Sequence, residues 1–238
     1  MLVEKPIALS AAEARDIAAA ARAAGVFAME AMWSRFLPQT SVISRLLDDG
    51  VLGDVRLVTA ELAFKFGELD PAGRMLDPAL GGGALLDLGV YPVWFSHFAL
   101  GAPATVHSFG SLTSSGVDEQ ASIVLDYHGG AQSLLSVTLT AQGRNGAVIA
   151  GTRARIEVDP LFITPRGFSL IGGEGERLDF VDDFEYQWWR DGLVYQAVAI
   201  AQHIAEGRTE APEHPLDRSI AQLETIDEAR TQLGYPPR

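Results

Sequence analysis

The 238-residue chain contains no cysteine, which excludes disulfides and thiolate metal centres and fits a reducing compartment. It also lacks any apolar run approaching the roughly 20 residues that a bilayer-spanning helix needs, so no membrane partner is expected. Its opening residues, Met-Leu-Val-Glu-Lys-Pro, have neither the basic flank nor the apolar stretch of a signal peptide, and the cytoplasm is the expected location. Basic side chains are scarce: 18 Lys and Arg face 31 Asp and Glu, a formal charge of −13. That balance argues against nucleic acid as a partner. His97, His107, His128, His203 and His214 fall at no ligand-like spacing, no H-E-x-x-H occurs, and no metal is expected. No G-x-S-x-G elbow supports a hydrolase. No G-x-G-x-x-G follows a strand and opens a helix; Gly172-Gly173-Glu174-Gly175 fails that spacing and reads as a hairpin turn.

What remains is an ordinary globular composition, 47% hydrophobic and 21% charged, organised around the stretch from Gly81 to Leu100. Three glycines there release an apolar helix that carries two isolated polar groups, Asp87 and Tyr91. Their i, i+4 spacing puts a carboxylate and a phenol on one helical face, within reach of a common small ligand. The same pair is equally consistent with buried groups satisfied by hydrogen bonds. The glycines allow a ligand or another backbone to come close, and Pro92 either kinks the helix or opens a second one.

Taken in order, residues 1–3 end a strand at Glu4-Lys5-Pro6, and Ser10-Ala-Ala-Glu13 is a capping box for a helix running to Ala24 and closed by Gly25. Val26 to Ala31 reads as a buried strand, which completes a βαβ unit. Trp33-Ser34-Arg35-Phe36 lies at the carboxyl end of that strand, where open α/β sheets hold ligands; Arg35 suits a phosphate or carboxylate, or plain solvation. A helix from Gln39 to Asp49, a strand from Asp54 to Phe66 and a loop from Gly67 to Leu80 lead into the glycine run. Beyond it the chain turns to short strands: Thr105–Leu112, Glu119–Tyr127, Gln132–Ala141, Ala147–Gly151, Ala154–Val158, Phe162–Pro165, Phe168–Ile171 and Arg177–Phe180. Turn signals at 128–130, 143–146 and 166–167 suggest sequential antiparallel pairing. Two helices, Leu193–Glu206 and Leu216–Leu233, close the chain. The fold class is therefore α+β, a βαβ remnant followed by a large open, mostly antiparallel sheet with helices on one face.

Glu4-Lys5-Pro6, the capped helix and strand after it, and the Gly-Gly-Gly-x-Leu-x-Asp-x-Gly-x-Tyr run resemble the glucose–fructose oxidoreductase, inositol dehydrogenase and rhizopine-catabolism family, most of all its dimeric dihydrodiol dehydrogenase branch. Residues 27–38, 49–56, 150–152 and the closing Tyr195-Gln-Ala-Val-Ala to Pro215-Leu-Asp extend the likeness over nearly the whole chain. The resemblance implies a remnant of a dinucleotide-binding Rossmann domain at 1–37 and a substrate and dimerisation domain at 38–238. It implies NAD or NADP as cofactor, a sugar, polyol or cyclic diol as substrate, and a homodimer formed through the open sheet. Lys5, Asp87 and Tyr91 would be catalytic; Glu4, Lys5, Pro6 and Arg35 would face the cofactor; Trp33 and Phe64, with Asp87 and Tyr91, would face the substrate.

A full member of the family carries a glycine-rich phosphate loop ahead of Glu4, so the chain is expected to be an N-terminally truncated copy. The alternative is a cofactor-free carbohydrate-binding or dimerisation module. For the chemistry, a free phenol titrates near ~10; Lys5 as a neighbouring cation favours phenolate, Asp87 opposes it, and distance decides between them.

Overall fold

In the computed structural model, which describes residues 1–66, 70, 73–181 and 191–235, Ser10 caps the first helix as its sequence position requires. Its hydroxyl accepts the Glu13 amide at 3.3 Å, and the Glu13 carboxylate accepts the Leu9 amide at 2.9 Å. Helix α1 (Ala11–Ala24) ends where Gly25 adopts φ 61°, left-handed and free of strain for glycine. It connects β1 (Leu2–Val3) to β2 (Met29–Glu30), which pair in parallel as the expected βαβ unit. Strand β2 is shorter than the segment read from the sequence, because the Ala28 amide bonds instead to the Thr209 carbonyl at 3.0 Å. The outer edge of β1 has no strand partner among the described residues, and Met1 and Leu2 there are about half exposed.

The remaining strands form one eight-stranded sheet: β3 (Val55–Ala63), β4 (Thr105–Leu112), β5 (Asp118–Asp126), β6 (Gln132–Thr138), β7 (Ala147–Gly151), β8 (Ala154–Val158), β9 (Gly167–Gly172) and β10 (Arg177–Val181). Their order is 10-9-8-7-3-6-5-4. Sequential antiparallel pairing holds on either side of the middle but fails there. Strand β3 inserts between β6 and β7, parallel to β6, so the turn signal at 143–146 joins no neighbouring pair. Residues 162–165 are also no strand. The carbonyls of Ile163 and Pro165 accept the Ser34 hydroxyl at 2.6 Å and the Gln39 amide at 2.8 Å, which leaves them unavailable to a sheet neighbour.

Helices α3 (Val90–Leu100) and α5 (Leu216–Gln232) cover one face of the sheet, and α1 packs on α5. The first residues of α3 are apolar all round and buried all round, against sheet and helix at once. Helix α4 (Leu193–Ala205) departs from expectation: it packs on the Trp33–Phe36 turn, and Tyr195, Ala199 and Ile200 reach Phe27 and Met29 beside β2. The opposite sheet face stays open, with Phe109 72% and Leu134 47% exposed. No helix among the described residues is long and apolar enough to cross a membrane.

The glycine run is followed by an unbroken helical stretch from Ala84 to Leu100 that is not α-helical throughout. Residues Leu85–Gly89 form a π-turn, a rare geometry often associated with function, before α3 starts. Pro92 lies within this helical run, where its missing N–H removes a donor to the carbonyls a turn earlier; among those, the Asp87 carbonyl accepts Lys5 Nζ. Part of the loop expected at 67–80, including Pro71, lies outside the described residues; the rest holds 3₁₀ turns at Arg74–Leu76 and Pro78–Leu80. What comes close to the glycines is this backbone. A Cβ on Gly82 would stand 2.6 Å from the Met75 carbonyl oxygen and 2.8 Å from that of Arg74. Behind them the fully buried Asp118 carboxylate accepts the Leu85 amide at 2.6 Å and the Tyr235 hydroxyl at 2.8 Å, anchoring the start of the π-turn.

The glycine contacts predict that Gly82→Ala lowers unfolding free energy by about 1–3 kcal/mol, the usual cost of forcing an extra methyl into packed backbone. Gly146→Ala, whose nearest atom would be 3.8 Å away, stays within about 0.5 kcal/mol of the parent. Urea denaturation of the two variants measures both.

Candidate active site

Three segments meet at the carboxyl end of β1: the Glu4–Pro6 stretch, the 3₁₀ turn Trp33–Phe36 after β2, and the π-turn with the start of α3. Lys5 Nζ donates to the main-chain carbonyl of Asp87 at 2.6 Å, lies 3.9 Å from Asp87 Oδ1, and sits 4.9 Å from the centroid of the Tyr91 ring. The Tyr91 hydroxyl accepts the Trp33 indole N–H at 3.0 Å. Lys5, Asp87, Tyr91 and Trp33 are thus brought into one cluster, in which spacing alone suggests Asp87 with Tyr91 and the family resemblance adds Lys5 and Trp33.

Burial decides the electrostatics. Tyr91 is 5% exposed, and its phenol is pushed up to about 12, chiefly by loss of water; the Trp33 bond pulls the other way, while Asp87, Glu4 and Glu30 add to the rise. Lys5 lies over the ring face and not at the oxygen, so its charge does little to favour phenolate. The Lys5 ammonium is itself held below the ordinary lysine range, first by burial; the Asp87 carboxylate opposes that shift and the Arg74 charge adds to it. With its folded value above the unfolded ~10, Tyr91 contributes stability that is complete below pH ~10 and is lost as pH rises toward about 12. At neutral pH the phenol keeps its proton, with only about 1 part in 10⁵ as phenolate at pH 7. This cluster is set to give a proton to an oxygen that gains negative charge.

Trp33, within the cluster, is 4% exposed, and a Cβ on Gly192 would stand 2.9 Å from its ring. No hydrogen bond among the described residues joins the remaining expected site residues to the Tyr91 hydroxyl. Arg35 turns away from Lys5 toward Glu213 and Phe98. Glu4 is exposed and makes no hydrogen bond among the described residues, acting on Lys5 and Tyr91 only by its charge. Pro6 is half-buried and follows Lys5 through a cis peptide. Phe64 is half-buried at the end of β3, its ring 5.8 Å from that of Phe66.

Two residues were missed. Arg74 Nη2 donates to Asp87 Oδ1 at 2.8 Å; an arginine just ahead of the glycine run was the available signal. Glu30 is buried in β2, where its carboxylate accepts the Ile7 amide at 3.0 Å and pairs with His214 Nε2 at 3.0 Å. Burial drives its pKa upward, yet the bonds from His214, Ser219 and Ile7 win and hold it low. The Ile7 bond fastens the segment carrying Lys5 to β2, and the His214 pair fastens the entry to α5. A charged residue inside an apolar strand was the clue.

Residues 41–157 match the model of the GFO/IDH/MocA C-terminal domain. The trans-1,2-dihydrobenzene-1,2-diol dehydrogenase of Xenopus laevis is 36% identical over 242 residues, spanning 99% of this chain and 72% of that protein. Among solved structures, an aldose-aldose oxidoreductase from Caulobacter crescentus, complexed with glycerol, superposes with a TM-score of 0.84 at 24% identity, covering 98% of this chain and 69% of that one. A levoglucosan dehydrogenase in complex with NADH and levoglucosan gives 0.85 at 16% identity, covering 98% and 70%. With fold, cluster and relatives in agreement, the chain belongs to the Gfo/Idh/MocA family of oxidoreductases.

Proposed function

We propose that this chain is the catalytic part of an NAD- or NADP-dependent oxidoreductase that moves a hydride between the nicotinamide and a secondary alcohol of a sugar, polyol or cyclic trans-diol. The observation that carries the reading is the single cluster of Lys5, Asp87 and Tyr91, a shifted amine, a carboxylate and a protonated phenol at the end of a parallel strand pair. A binding module has no evident need for that trio. The Xenopus relative supports a diol as substrate and the two structural relatives support sugars. Residues 1–37 are then the last part of the nucleotide-binding layer, and 38–238 the substrate and dimer domain. The free edge of β1 and the exposed Val194, Val198 and Ile204 of α4 are surfaces on which such a layer fits. A reducing cytoplasm suits a chain without cysteine.

Lys5 stands where open α/β sheets hold their ligands, so the nicotinamide end fits beside it; when bound, the cofactor supplies or accepts the hydride. The chain's own residues manage the proton. In carbonyl reduction Tyr91 gives its proton to the substrate oxygen, and in alcohol oxidation it takes the proton back. Lys5, over the ring face and bonded to the Asp87 carbonyl, positions the phenol and does not itself exchange the proton. Asp87 Oδ1 is held by Arg74, while Oδ2 makes no hydrogen bond among the described residues and is placed to orient a substrate hydroxyl.

The open sheet face supports a homodimer. Phe109, Leu134 and Leu57 lie on that face among small polar side chains, an apolar patch suited to a self-complementary interface.

Two measurements test these statements. Nicotinamide absorbance during incubation with aldoses, polyols and trans-diols reports turnover, and Tyr91→Phe lowers it by about 10²–10⁴-fold while nicotinamide fluorescence on binding is kept; turnover indifferent to the change contradicts the role, and sugar binding with no response to NADH or NADPH contradicts the reading itself. Sedimentation equilibrium gives a dimer for the parent chain and a monomer for Phe109→Asp. A monomeric parent contradicts the dimer.

A further inference from the structure

A cavity of about 340 Å³ opens between α2 (Pro38–Asp48), the end of α3 and the segment entering α5. Two arginines line it. Arg35 donates through Nε to the Glu213 carbonyl at 3.1 Å, and its guanidinium carbon lies 5.3 Å from the centroid of the Phe98 ring. Its two terminal nitrogens make no hydrogen bond or ion pair among the described residues. Arg218, in the first turn of α5, brings a second guanidinium that also has none.

A half-buried arginine such as Arg35 is seldom left without a carboxylate, whereas Arg218 is exposed. The acidic side chains on the wall do not supply one here: the Glu213 carboxylate is held by His203 Nε2 at 2.8 Å, and Asp48 forms no ion pair. Burial draws the Arg35 guanidinium below its ordinary value; the Glu213 and Asp48 charges resist and Arg218 adds to the fall. Formal charge on the wall is even, two arginines against Asp48 and Glu213, yet neither carboxylate bonds to the terminal nitrogens of Arg35 among the described residues. Leu47, Val55 and Phe98 add apolar side chains to a wall that presents mainly polar atoms, and Ser44 offers a hydroxyl. The volume lies at the small end of the ~300–1,000 Å³ usual for small-molecule sites.

We propose that this cavity binds a small organic oxyanion, a carboxylate or phosphate ester on an apolar body, clamped between Arg35 and Arg218 with the body against Phe98 and Leu47. Planar forked guanidiniums match either oxyanion through paired hydrogen bonds. The site is separate from Lys5, Asp87 and Tyr91 in its lining residues, yet linked to them: Arg35 shares a turn with Trp33, and Phe98 shares α3 with Tyr91. The proposal does not depend on the oxidoreductase reading.

Isothermal titration calorimetry of the full chain with phthalate and, separately, with phenyl phosphate at constant ionic strength tests it. Saturable binding is expected for at least one probe, weakened about tenfold or more in Arg35→Gln and in Arg218→Gln, a loss of at least about 1.4 kcal/mol. Binding is expected unchanged in Arg177→Gln, an exposed arginine paired with Asp179 on β10. Phthalate alone assigns a carboxylate ligand and phenyl phosphate alone a phosphate ester. Arg218 is exposed, so its variant keeps the test decisive even if Arg35→Gln fails to fold. Absence of saturable binding for both probes, or binding that survives Arg218→Gln undiminished, overturns the proposal.

Discussion

The bond from Lys5 to the main-chain carbonyl of Asp87, 2.6 Å long and spanning 82 positions of sequence, joins the two parts of this molecule. On one side is the short parallel pair β1–β2 with α1; on the other is the π-turn seated against the large sheet. A charge-assisted bond in a site nearly closed to water is stronger than its surface counterpart, and its geometry places the ammonium over the Tyr91 ring. Each supporting feature acts on one end of it. Glu30, itself paired with His214, fastens the Lys5 segment to β2 through the Ile7 amide, while Asp118 and the glycine contacts fix the π-turn.

That arrangement also explains why the phenol holds its proton. A cation near a tyrosine oxygen stabilises phenolate, but here the cation meets the ring face, and the oxygen meets an indole N–H inside a dry pocket. The desolvation of a charged phenolate is the larger effect. Arg74 then matters through Asp87, since it draws the carboxylate oxygen toward itself and away from Lys5, 2.8 Å against 3.9 Å.

Much of this was legible in the sequence because the signals are local. The Ser10–Glu13 capping box, Gly25 as helix stop and the Asp87–Tyr91 spacing each depend on neighbours a turn away, and each appears in the structure. What escaped depends on partners far along the chain. The insertion of β3 between β6 and β7 leaves no trace in the periodicity of any strand, and residues 162–165 carry strand-like side chains whose backbone is claimed by Ser34 and Gln39. The glycine run announced close approach without saying by what; the answer, the backbone of Arg74 and Met75, is tertiary. The packing of Gly192 on Trp33 and the place of Arg35 in a cavity of its own are tertiary in the same way.

The central claim is that burial outweighs the Lys5 charge and keeps Tyr91 a proton donor across the working pH range. Carbon-13 NMR of the tyrosine ring carbon bearing the hydroxyl, assigned with Tyr91→Phe and followed against pH, reads this directly. The account predicts a Tyr91 midpoint well above the free-phenol value, near the 12 that burial imposes. A midpoint at or below ~10 would show that the lysine charge prevails, and would contradict it.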